Sequence, residues 1–550
     1  MMKWSDLIGR RVDHPLSDAA AAKKVLADLP QDPAHALDDV ATWLGSVTGT
    51  QGFRLADRIA VVKLLDEAAQ AAEPKLIHSY LNPVGITEAA RLQLWHRALD
   101  FWERLADAYQ ACIAEILQDE KHARAHAEEI ALLLVRRLRA LSNVMRVQAL
   151  RYLPARGKLW HALFETFRLA EAAGRDIGRL KAYAADALPT SPRQELLRAL
   201  MLDVAAPETM QPRHIEIAAR VAARFSDAFL FKNQPGPGCD WTVDLENPRR
   251  PQHVDTAGAA GKTSCYFGGG VVLERMQAVV QRMESDPREE ERRFGKEFPA
   301  EERFLVLKHL ESYWGDHPPH RHHQRHVESA ELTVAQGYAD ATHTVPRVEF
   351  SGMAELSDSM DVKFNQKLQL TLAQEQKLVQ TEKWLERDAS EWGLGVEVPR
   401  TSESWLRVGV LATLKDSTDG CRIGVVRRIY RDEQNHEHAG IEILAKKPVS
   451  VWVRAVGRGA ANAENWATSS GSFAYDYMNV LLLNDSAAGD KRLELLMASG
   501  QYHPRVIYEV MMGSAPRYLR IEEVLEAGED FDRVRFNWAR PRPKSEKPRD

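Results

Sequence analysis

The apolar residues of this chain change their period once, and that change limits the folds open to it. Over the first 225 residues they recur at helical spacing. Leu134, Leu138, Leu141 and Met145 step by 4, 3 and 4, which lines one face of a long helix. Pro154 is the expected end of that helix. From residue 327 the runs become short, rich in β-branched residues and alternating with period two. They are E-L-T-V-A-Q-G-Y-A-D-A-T, K-W-L-E-R-D-A, G-L-G-V-E-V-P, W-L-R-V-G-V-L-A-T-L, C-R-I-G-V-V-R-R-I-Y-R, H-A-G-I-E-I-L-A and V-S-V-W-V-R-A-V. Runs of this kind in one block predict a small antiparallel β-barrel. The fold class expected is therefore multidomain α+β: an N-terminal all-α helical region, a small antiparallel β-barrel and a C-terminal β-rich extension.

The boundaries follow the texture. Residues 1–225 are read as a helical bundle or solenoid, with Ser17 capping a first helix that stops before Pro30. Trp160, Leu163 and Phe167 partly resemble the first helix of a tetratricopeptide repeat. Phe164 stands where that repeat wants a small residue, and no second copy recurs at a fixed period, so a repeat array is not supported. Residues 226–315 read as a mixed α/β connector with helices over 272–283 and 301–313. The barrel is placed at 316–458 with a helical insertion near 340–380. A β-rich extension follows at 459–540, from the runs F-A-Y-D-Y-M-N-V-L-L-L, K-R-L-E-L-L-M-A-S and R-V-I-Y-E-V-M-M. Residues 541–550, charged and Pro-rich, are expected to be a disordered tail.

Composition excludes several function classes. A formal net charge of −5 over 550 residues lacks the basic excess of a general nucleic-acid binder. Cys112, Cys239, Cys265 and Cys421 are far apart and form no C-x-x-C pair, which speaks against a cysteine zinc site and a disulfide framework. The start lacks the apolar core of a signal peptide, and the longest aliphatic run, Ile130 to Val135, is far short of a membrane span. The expectation is a soluble, cytoplasmic protein without a transmembrane segment.

Candidate sites are few. A-A-G-K-T-S (259–264) has Thr256 where a phosphate loop needs its first glycine, and no apolar strand precedes it. Five histidines lie between positions 317 and 326. His322 and His326 have helical spacing, but Pro318 and Pro319 oppose a helix, so solvated linker histidines are preferred to a metal site. The same stretch holds Arg321 and Arg325. Guanidinium groups fork onto phosphate oxygens and stack on rings, although R-x-x-x-R alone equally suits an exposed basic linker. Further on, Asp388, Ser390 and Gly393 form D-x-S-x-x-G. The carboxylate can accept from a guanine N–H edge, the hydroxyl can donate or accept beside it, and glycine permits close backbone approach. Taken alone, the trio reads first as ordinary hairpin-turn chemistry. No catalytic constellation stands out, and no enzyme activity or cofactor is expected.

R-x-x-x-R ahead of a first strand, D-x-S-x-x-G between later strands and a small antiparallel barrel together resemble the PilZ domain. W-L-R-V-G (405–409), I-G-V-V-R-R (423–428) and A-G-I-E-I-L (439–444) add to the likeness, which covers about a quarter of the chain. The resemblance implies a bacterial receptor for cyclic di-GMP. Arg321 and Arg325 would grip phosphates and stack on guanine, Asp388 and Ser390 would read a guanine edge, and Gly393 would let the turn close on it. Signalling would pass through the helical region to a protein partner. The sequence departs from the family pattern in two respects: Arg325 and Asp388 stand 63 positions apart, where the family's two motifs usually stand about half as far apart, and the histidines flanking the arginines are atypical. The alternative is a ligand-free adaptor that uses helices and barrel as a protein–protein platform.

Overall fold

A computed structural model describes residues 12–257, 261, 263–285, 297–315, 318–319, 326–348, 379–399, 405–417, 420–456, 478–483, 493–504, 506–512 and 517–540. The chain divides into two compact units, Met1–His320 and Arg321–Asp550.

The first unit opens with α1 (Ala19–Ala27), α2 (Pro33–Gly49), α3 (Leu55–Ala69), α4 (Glu73–Leu81) and α5 (Glu88–Leu117). It continues with α6 (Glu120–Ala125), α7 (Glu129–Ala149), α8 (Gly157–Ala172), α9 (Pro192–Val204) and α10 (Pro212–Arg224). Asp18, not Ser17, caps α1: its carboxylate accepts from the amides of Ala20 and Ala21. Helix α7 stops at Ala149 rather than at Pro154, and Tyr152 then takes a left-handed φ of 58°. Its face of Leu134, Leu138, Leu141 and Met145 is buried as the period required.

Helix α7 also buries arginines. Arg146 pairs with Glu216 of α10 at 2.6 Å and with Glu73 of α4. Arg139 reaches Glu195 of α9 at 2.7 Å, and Arg136 lies 3.4 Å from Asp66 of α3. Buried ions demand partners, and removing one partner of such a pair typically costs about 3–5 kcal/mol. These pairs therefore fix which helices meet α7 and at what height.

A small antiparallel sheet follows, made of β1 (Leu230–Lys232), β2 (Trp241–Asp244), β3 (Gln252–His253) and β4 (Ser264–Gly268) in the order β1-β4-β2-β3. Two helices, α11 (Val272–Ser285) and α12 (Ala300–Trp314), close the unit. The segment read as a connector shares its core with the bundle: Phe267, Met276, Leu310 and Trp314 belong to the same buried cluster as the helices.

The second unit contains two closed barrels. The first is built from β5 (His326–Gln336), β6 (Thr381–Ala389), β7 (Gly393–Val398), β8 (Leu411–Lys415), β9 (Cys421–Arg431) and β10 (Glu437–Ala445), in the order β10-β7-β6-β5-β8-β9. The second takes β11 (Val449–Val456), β12 (Met478–Leu482), β13 (Leu493–Ala498), β14 (Ile507–Met511), β15 (Arg517–Ala527) and β16 (Phe531–Ala539), in the order β11-β12-β13-β16-β15-β14. The C-terminal extension is thus a closed barrel, and it takes V-S-V-W-V-R-A-V from the segment assigned to the first barrel, since β11 pairs with β12 and β14.

Two runs differ from their expected form. After Gln336 the chain turns at Gly337, φ 76°, into the helix α13 (Gly337–Thr344), so the G-Y-A-D-A-T half of the first run is not strand. The residues of W-L-R-V-G form turns, and β8 begins only at Leu411. Of the insertion expected near 340–380, residues 349–378 lie outside the described residues, as does the tail 541–550.

The two barrels share a buried cluster. Tyr338, Leu411 and Ile423 from the first pack with Leu481, Leu496 and Phe531 from the second. The Tyr338 hydroxyl donates to the Asn479 carbonyl at 2.5 Å, and its amide donates to Asp530 at 2.6 Å. This buried, hydrogen-bonded seam involves the first barrel at β8, β9 and the end of β10. Among the described residues, β6 and β7 contribute nothing to this cluster.

Candidate functional site

Asp388 lies near the end of β6, Ser390 directly after that strand, and Gly393 opens β7. The three form one tight hairpin. The Ser390 amide donates to the Gly393 carbonyl at 2.7 Å, and the Ser390 hydroxyl reaches the same oxygen at 3.2 Å. The turn role read from composition is therefore realised, and the hydroxyl oxygen keeps its acceptor capacity. The hairpin is tied to β10, because the Ile443 amide donates to the Trp392 carbonyl at 3.0 Å, and Lys446 lies 4.5 Å from the centre of the Trp392 ring.

Alternation sets the direction of each side chain. Leu394 and Val396 are buried inside the barrel, so Gly393 and Gly395 face outward. Asp388 stands opposite Gly395 and shares that outer face. A Cβ on Gly393 would meet the Ser390 hydroxyl oxygen at 2.9 Å. A Cβ on Gly395 would meet the Asp388 carboxylate oxygens at 2.5 and 2.8 Å. Both glycines thus make room for a polar side chain of the motif. Gly395 was missed from sequence, although G-L-G, two glycines on one face of a strand, was a usable signal.

A cleft of about 330 Å³ opens beside the turn, lined by Ser390, Gly393, Asp416, Arg422 and Lys446 among others. Arg422 lies 3.5 Å from the buried Glu386. With Glu391 also in its wall, the cleft offers one hydroxyl, two carboxylates and two cations, a lining that suits a small polar ligand with both donors and acceptors.

Arg321 and Arg325 lie outside the described residues, as do His317, His320, His322 and His323. The strand they lead into is described. His326 faces Ala389 and Val327 faces Asp388 at the start of the β5–β6 ladder. Ala335 faces Thr381 at its other end. The start of β5, one residue beyond Arg325, therefore lies against the end of β6 that carries Asp388. Strand β5 ends at Gln336 and β6 begins at Thr381, both at the opposite end of this ladder.

A comparison with known families adds an observation from a different part of the chain. Residues 20–235 match the N-terminal domain of the cyclic-di-GMP receptor FimW. No curated protein and no solved structure matches the chain. The matched segment covers α1 to α10 and β1, and none of the motif residues. Its class, a cyclic di-GMP receptor, is the class that the two motifs of the β region resemble. Among the described residues no helix is long and apolar enough to cross a membrane.

Proposed function

We propose that the chain is a cytoplasmic receptor for cyclic di-GMP that acts by binding rather than catalysis. Its first barrel holds the ligand, and its helical unit passes the signal to a protein partner. The observation that carries this reading is the register of β5 against β6. It brings the chain position that follows Arg325 to the strand end that carries Asp388. The 63-position separation is then no obstacle, because β5 and β6 join at their far ends while His326 stays opposite Ala389.

In this reading Arg321 and Arg325 supply charge-assisted bonds to the phosphates and stack on guanine. The Asp388 carboxylate accepts from the guanine N–H edge, Ser390 bonds beside it, and Gly393 keeps the turn narrow. The family match to residues 20–235 supports the same ligand from the helical side.

The test is calorimetric titration of cyclic di-GMP into the full chain at moderate salt. Saturable binding, with much weaker binding of GTP, is expected. Equal affinity for GTP would refute guanine-dinucleotide recognition. Absence of any binding would favour the ligand-free adaptor.

A further inference from the structure

The outer face of the first barrel continues past the turn. One row of facing residues crosses five strands: Val327, Asp388, Gly395, Gly440 and Arg428. Directly opposed residues of antiparallel strands project to the same face. With strands about 4.8 Å apart, the backbone from Asp388 to Arg428 spans roughly 14 Å.

Two positions of this row carry no side chain. The space over Gly395 is taken by the Asp388 carboxylate. Over Gly440 the nearest atom to a notional Cβ is the Cβ of Arg428, at an ordinary 3.4 Å. Among the described residues, the backbone at Gly440 thus lies between the Asp388 carboxylate over Gly395 and the side chain of Arg428, with no side chain of its own. Beyond it the Arg428 guanidinium sits 5.1 Å from the centre of the Tyr430 ring. Tyr430 in turn stacks on His438 with ring centres 4.9 Å apart and planes at 12°. His438 is held by Asp432 at 3.0 Å. At the other end of the row Val327 is 92% exposed, an apolar side chain with a free surface beside Asp388.

We propose that this row is the ligand face and that Arg428 is its second anchor. The ligand class it fits is a dinucleotide with two purines. One base lies at Asp388 against Val327, the other on the Arg428–Tyr430–His438 side, and the phosphates cross the bare backbone at Gly440. A flat ring or a phosphate approaches a peptide closely only where no side chain intervenes, which Gly440 provides. A guanidinium supported on an aromatic ring can stack on a base and fork onto phosphate. A mononucleotide at the Asp388 turn does not reach the second anchor. This inference rests on the proposed function and names the part of the ligand that function leaves unassigned.

The test uses the full chain, cyclic di-GMP and, as the mononucleotide, GMP. Arg428→Ala should weaken cyclic di-GMP by about tenfold or more, the loss expected for a charged hydrogen bond, and leave GMP unchanged. Gly440→Val, which covers that backbone without altering charge, should weaken the dinucleotide selectively at an unchanged melting temperature. Wild-type affinity for cyclic di-GMP in Arg428→Ala overturns this inference and leaves the proposed function standing. Absence of binding by the unaltered chain overturns the proposed function and this inference with it.

Discussion

Replacing Gly395 by alanine should separate stability from binding. The glycine lies in mid-strand and its φ is outside the left-handed region. Alanine is therefore compatible with its backbone, and removing a glycine's freedom in the unfolded chain stabilises by about 0.4–1 kcal/mol. The new methyl, however, would lie 2.5–2.8 Å from the carboxyl atoms of Asp388. The carboxylate is the far end of a side chain and can swing away, so the barrel loses little. In the proposed site, the ligand then loses the group that reads its guanine. A hydrogen bond to a charged group contributes about 1.5–3 kcal/mol, which is roughly ten- to 150-fold in affinity. Gly395→Ala should thus melt at or slightly above the wild-type temperature yet bind cyclic di-GMP as poorly as Asp388→Ala. Unchanged affinity in calorimetry would refute the role given to the carboxylate where it lies. A lowered melting temperature would refute the account of why glycine stands there.

Other expectations are independent of that one. Arg321→Ala and Arg325→Ala should each weaken cyclic di-GMP about tenfold or more through lost phosphate bonds, whereas Asp388→Ala should also narrow the preference over an adenine analogue; wild-type affinity in Arg325→Ala would show the arginine assignment to be wrong. The helical unit should lose stability in mild acid. Burial lowers His214 and His309 below their ordinary 6.5, so the unfolded chain takes up protons first as pH falls through that value. Their contribution is complete above 6.5 and lost below it, and the denaturation midpoint should drop between about pH 7.5 and about pH 5.5. His309→Gln should reduce that drop, and an equal drop in the variant would remove His309 from the explanation. Glu195 behaves otherwise: burial pushes it up, but Arg198 and Arg139 more than offset this and hold it at about 2, so its contribution persists until far stronger acid.

The two-part architecture was legible because period is a physical consequence of which face is buried. Leu134 to Met145 lie on one side of α7 for that reason. Strand content was legible where β-branched residues alternate, as in β9 and β10. It failed where the ladder is irregular. β15 slips between Ile521 and Glu523 and again between Val524 and Glu526, so its apolar residues do not keep period two, and neither it nor β16 was among the strands expected. The end of the first barrel was misplaced because V-S-V-W-V-R-A-V has the same alternation whichever barrel it pairs with; only partners decide that. Asp388, Ser390 and Gly393 were visible as a local trio. Gly395 had a local signal in G-L-G that went unused, whereas the roles of Gly440 and Arg428 had none, because what unites them with the trio is register across strands, which no local window contains.

That register also links the second barrel to the proposed ligand face. Strands β9 and β10 pair regularly from Glu437 opposite Arg431 to Gly440 opposite Arg428, and then slip so that Ile441 faces Val426. Arg427 is the extra residue of a β-bulge. Without the bulge it would face Ile441, which is buried inside the barrel opposite Leu394, and a guanidinium there would be uncompensated. With the bulge Arg427 leaves the ladder, bonds Glu442 at 2.6 Å and forks onto Glu526 of β15, with one arm at 2.7 Å. Burial works against its charge, but the Glu526 and Glu442 carboxylates more than offset it and hold its pKa above the usual arginine value. A strand's side chains alternate from the point where its register is set, so the residue that anchors the bulge also fixes the direction of Arg428 next to it. A carboxylate of the second barrel therefore helps aim an arginine on the first. The two barrels are one device at this point, and a change in how they pack would be felt first at the Arg428 end of the row.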